Sequence, residues 1–82
     1  MEPSKRLQAA IIQVVQNQID ANDPPETKRT LMRLMTEGYS EAAAKELLGT
    51  VVVAEVLEVL QRGQSFDLER YVGALKRLSK PH

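Results

Sequence analysis

Eighty-two residues fit one domain and leave no room for a second. Cys is absent and the one His is His82, the last residue, which excludes disulfides and thiolate metal sites. Eleven basic and eleven acidic side chains give a formal net charge of zero, which argues against a nucleic-acid binder whose affinity comes from phosphate neutralisation.

Phe66, Tyr39 and Tyr71 are the only aromatics, so the core must be built from Leu, Val, Ile, Ala and Met. A chain this small buries only about 60–65% of the surface its unfolded form exposes. With neither disulfide nor metal, it needs very good aliphatic packing or a partner copy.

Met1-Glu2-Pro3-Ser4 shows no basic region feeding an apolar stretch, so no signal peptide is expected. The longest unbroken apolar run, Val51 to Ala54, is far short of the ~20 residues a spanning helix needs. A cytoplasmic chain without membrane contact is the expectation.

The punctuation predicts four helices and no strand. The first runs from Lys5 to Ala21 behind Ser4 as N-cap. Leu7, Ala10, Ile11, Val14, Val15 and Gln18 share one face, and Ile12 and Ile19 widen it beyond what one neighbour covers. Asn22-Asp23-Pro24-Pro25-Glu26 reads as a helix start, with Asp23 as cap, Pro24 at the first helical position and Glu26 closing an Asp-x-x-Glu box. The second helix then runs from Pro24 to Glu37, with Thr27, Leu31, Leu34 and Met35 inward and Gly38 as its left-handed terminator.

Ser40 caps a long third helix, Glu41 to Arg62, which Gly63 ends, and Tyr39 is placed to pack near Ala44. The β-branched run Val51-Val52-Val53 would suit a strand, but Glu55 and Glu58 and the lack of a turn before Gly63 favour helix. The fourth helix opens at Asp67 with a Phe66–Tyr71 staple and turns Leu68, Tyr71, Val72, Leu75 and Leu78 inward. The fold class is therefore all-α: a compact four-helix domain over residues 1–82, with a long third helix and irregular, orthogonal packing. Residues 1–4 and 79–82 are expected to be frayed tails.

The third helix changes its apolar side midway. Ala43, Ala44, Leu47, Leu48 and Val51 share one side, whereas Val52, Val53, Val56, Leu57, Val59 and Leu60 crowd the other. Glu55, Glu58 and Arg62 take over the first side. Either the helix breaks at Gly49-Thr50, or it is continuous and serves two packing surfaces. The continuous reading predicts a homodimer interface made of Ile12, Ile19, Val52, Val53, Val56, Leu57 and Leu60.

Catalysis has little to work with. Without Cys or an internal His, no Ser or Thr has an activating base, and Ser4, Ser40, Thr50 and Ser65 all fall at expected caps. Glu55 and Glu58 at i, i+3 lack the His that carboxylate di-metal bundles add, and Glu58–Arg62 reads as a surface ion pair. The basic residues Arg70, Lys76, Arg77 and Lys80 suit the C-terminal end of a helix dipole. The expectation is a non-enzymatic interaction module, self-associating, with no cofactor and no metal.

The alternative from another class is a helix-turn-helix DNA-binding protein. Gly38-Tyr39-Ser40 followed by Ala43, Ala44 and Leu47 has the form of such a corner, but Glu41, Ala42, Lys45 and Glu46 on the reading face offer little to DNA. Arg29 and Arg33 share their side with Glu26 and Glu37.

The Glu37-Gly38-Tyr39 corner resembles the loop of ubiquitin-associated domains; the resemblance stops there and carries no binding residue over. More of the chain, from Leu7 to Leu78, resembles a family of small bacterial all-helical proteins of unknown function. The likeness lies in Asp23-Pro24-Pro25-Glu26, the Gly38 corner, the long helix to Leu60, and Phe66-Asp67 with Tyr71 and Leu75. Many such proteins carry His in the third helix where this chain has Ala and Glu. The resemblance implies an intracellular helical fold and says nothing of activity.

Overall fold

In the computed structural model, which describes residues 5–63 and 65–78, each boundary between helices is set by a local backbone device. Helix α1 (Lys5–Ala21) ends because Asn22 turns left-handed at φ 51°. The Asn22 N–H then reaches the Ile19 carbonyl and the Asp23 N–H reaches the Gln18 carbonyl, the double closure of a Schellman motif. Helix α2 (Pro25–Thr36) ends the same way, with Gly38 at φ 110° and the Tyr39 N–H on the Leu34 carbonyl. Helix α3 (Glu41–Arg62) starts on the Ser40 hydroxyl, which accepts from the Ala43 N–H, and stops at Gly63, φ 62°. Helix α4 (Leu68–Arg77) starts on the Asp67 carboxylate, which accepts from the Arg70 N–H, and Phe66 and Tyr71 meet across that start at 5.5 Å between ring centroids. The four predicted helices are present, with α1 and α3 at their predicted bounds. Ser4 and the tail residues 79–82 lie outside the described residues.

One start differs from expectation. Asp23 does not cap α2: the cap position belongs to Pro24, in extended conformation at φ −72° and ψ 148°, with no side-chain hydrogen bond. A residue that precedes proline is kept out of the helical region by the proline ring. Pro24 precedes Pro25 and so cannot be the first helical residue; Pro25 takes that place. The Asp-x-x-Glu box is lost with it. Asp23 is exposed, and its N–H closes α1 instead. Asp23→Ala is therefore expected to change stability by under about 0.5 kcal/mol, the usual range for a surface side chain. A denaturant titration showing a loss near 1 kcal/mol would restore the capping role.

Helix α3 is continuous. The Thr50 hydroxyl folds back on the Leu47 carbonyl at 2.6 Å and caps nothing, so Gly49-Thr50 is no break. At ~1.5 Å rise per residue its 22 residues span about 33 Å, close to the longest dimension of the molecule, 36 × 32 × 30 Å. Near-equal dimensions around helices of 17, 12, 22 and 10 residues exclude an equal-length parallel bundle. Helix α3 packs on all three others, α2 packs on α1 and α4, and among the described residues α1 and α4 approach only through side chains.

The core is Val15, Leu31, Leu34, Ala44, Leu48, Val51, Val52, Tyr71 and Leu75, with Ile19, Tyr39, Leu47, Ala74 and Leu78 packed against it. Leu7, Val14, Met35 and Leu68, all expected inward, are exposed. They lie on helix flanks that the packing of the four helices leaves uncovered. Thr30 takes a buried place instead, its hydroxyl satisfied by the Glu26 carbonyl. Among the described residues, no helix is long and apolar enough to cross a membrane.

Candidate interaction surface

Two faces of α3 have opposite character. The inward face carries Ala44, Leu48, Val51 and Val52, and then Glu55, buried at 7% exposure. Arg70 of α4 makes this possible: its Nε donates to Glu55 Oε1 at 2.9 Å and its second guanidinium nitrogen to Oε2 at 2.5 Å. The Asp67 N–H adds a longer contact to Oε2 at 3.4 Å. A forked donor matched to a carboxylate is the arrangement that best tolerates loss of water. Arg70 therefore joins α4 to α3, and the helix dipole is not its role, since it stands in the first half of α4. Glu58, the other half of the i, i+3 pair, is held by Arg62 at 2.7 Å, the surface ion pair its spacing predicts.

The hydrogen bonds from Arg70 hold the Glu55 carboxyl below its ordinary value, and they outweigh burial, which works the other way. A carboxyl depressed in the folded state stabilises fully above the unfolded value of about 4.3. That contribution is lost as pH falls through the folded value. Thermal melts from neutral pH to about pH 2 should therefore fall more steeply for the native chain than for Glu55→Gln. Glu41 is also depressed, by Lys45, but it remains in both chains and cancels in the comparison. Equal slopes would remove Glu55 from the account.

A second polar cluster ties α4 to α1 and α2. Gln18 Oε1 accepts from the Thr27 hydroxyl at 2.8 Å and from the Tyr71 hydroxyl at 2.9 Å. Burial raises the Tyr71 phenol above its ordinary value, so it stays a neutral donor. Thr27 and Tyr71 are buried, and no buried side-chain nitrogen or oxygen among the described residues lacks a partner. A fully paired cluster of this kind explains itself as structure.

The outward face of α3 is unlike either. Val53, Val56, Leu57 and Leu60 are 36%, 51%, 49% and 73% exposed and carry no charge among them. At ~100° per residue they occupy one arc, opposite Glu55. Beside them α1 and α3 diverge into a groove of about 680 Å³, walled by Gln8, Ala9 and Ile12 on one side and by Gly49, Thr50 and Val53 on the other. Lys5 and Glu46 stand at its edge. At Gly49 a Cβ would stand 3.0 Å from Ile11 Cγ2 of α1, so a larger residue there would require the Ile11 side chain to give by a few tenths of an ångström.

Of the seven residues predicted to form an interface, four lie together on this exposed face and Ile12 lines the adjoining groove. Val52 does not belong: at 8% exposure it is part of the chain's own core. Ile19 packs against that core too. Both sit on arcs of their helices that a neighbour already covers. The sequence reading missed the Glu55–Arg70 pair, since partners fifteen residues apart on different helices leave no periodic signal. At the supposed helix-turn-helix corner, Lys45 is engaged by Glu41 at 2.7 Å. Comparison with known proteins finds no family model, no curated protein and no solved structure that matches the chain.

Proposed function

We propose that this chain is a non-enzymatic helical interaction module that acts as a homodimer, with the outward face of α3 and the adjoining wall of α1 as its contact surface. The observation that carries this reading is the exposed aliphatic arc Val53, Val56, Leu57 and Leu60 on the longest helix. A contiguous apolar surface costs free energy in water and marks a place of association. The charged residues of the same helix half give support: Glu55 is spent inward on Arg70, which leaves the outer arc free of charge.

The non-enzymatic part rests on the residues present. Cys is absent, the single His is terminal, and the hydroxyls of Thr27, Thr30, Ser40 and Thr50 are committed to local hydrogen bonds. A cytoplasmic location and kinship with small bacterial helical proteins belong to the same reading. No observation favours the DNA-binding alternative, whose corner residue Lys45 is paired.

Sedimentation equilibrium from micromolar to millimolar concentration tests the proposal. The expected result is a mass rising from 9.2 kDa to twice that value. A constant 9.2 kDa across the range overturns it.

A further inference from the structure

We draw no further inference here: the strongest candidate, the groove between α1 and α3 with the exposed aliphatic arc of α3 beside it, is the apolar surface already described, and nothing in the structure shows what covers it.

Discussion

Tyr71→Ala should leave the chain largely unfolded, or close to it, in a urea titration at room temperature. Among the described residues, Tyr71 is the largest of the fully buried side chains and the only aromatic among them. Removing a buried aromatic costs about 3–5 kcal/mol through lost transfer energy and the cavity left behind. Its hydroxyl also donates to Gln18 Oε1, the atom that Thr27 shares, so the substitution disturbs the polar tie between α1, α2 and α4. Loss of that hydrogen bond adds only about 0.5–1.5 kcal/mol, because Gln18 Oε1 keeps the Thr27 hydroxyl as a donor. A domain of this length has a total stability of roughly 4–12 kcal/mol at the usual per-residue value, so the combined loss takes most of it. Tyr71→Phe separates the two contributions: it keeps the ring and should cost only about 0.5–1.5 kcal/mol. A Tyr71→Ala loss below about 1 kcal/mol would mean that α4 does not hold the core together as the structure has it.

Leu57→Asp should abolish self-association while leaving the folded monomer intact. Leu57 is 49% exposed in the single chain, so only about half of the 1.5–3 kcal/mol of a buried leucine remains to be gained at a contact. In a two-fold dimer each substitution counts twice, which gives about 1.5–3 kcal/mol per dimer, or roughly 10- to 150-fold in Kd. Placing an unpaired carboxylate in an apolar contact raises the effect further. Sedimentation equilibrium on the variant should read 9.2 kDa at concentrations where the native chain is dimeric. Its denaturation midpoint, compared at dilutions where both are monomers, should stay within about 0.5 kcal/mol of the native chain. Val52→Asp makes the contrast, because Val52 is core and its substitution should unfold the monomer outright. If Leu57→Asp unfolds the chain and Val52→Asp does not, the inner and outer faces of α3 have been assigned the wrong way round.

The amino-acid sequence by itself determined where the helices start and stop. Ser40, Gly38, Gly63 and Asp67 act on backbone groups within five residues of themselves, so their effect is legible without knowing the fold. The Phe66–Tyr71 staple is local for the same reason. The misplaced start of α2 was legible as well, since the restriction that Pro25 places on Pro24 is a nearest-neighbour effect. Tertiary structure decided which side of each helix turns inward. Periodicity assigns Val52 and Val53 to adjoining angles on α3, but only the packing of the other helices makes one core and the other surface. Met35 and Leu68 keep inward-looking spacing and still face solvent, because no fifth element arrives to cover them. Glu55 is the clearest case. Its place on a helix with charges at i+3 reads as solvated surface, and a single arginine on another helix makes burial affordable. Burial is a property of the neighbours a residue meets, and in a chain of four short helices those neighbours are set by packing at long range.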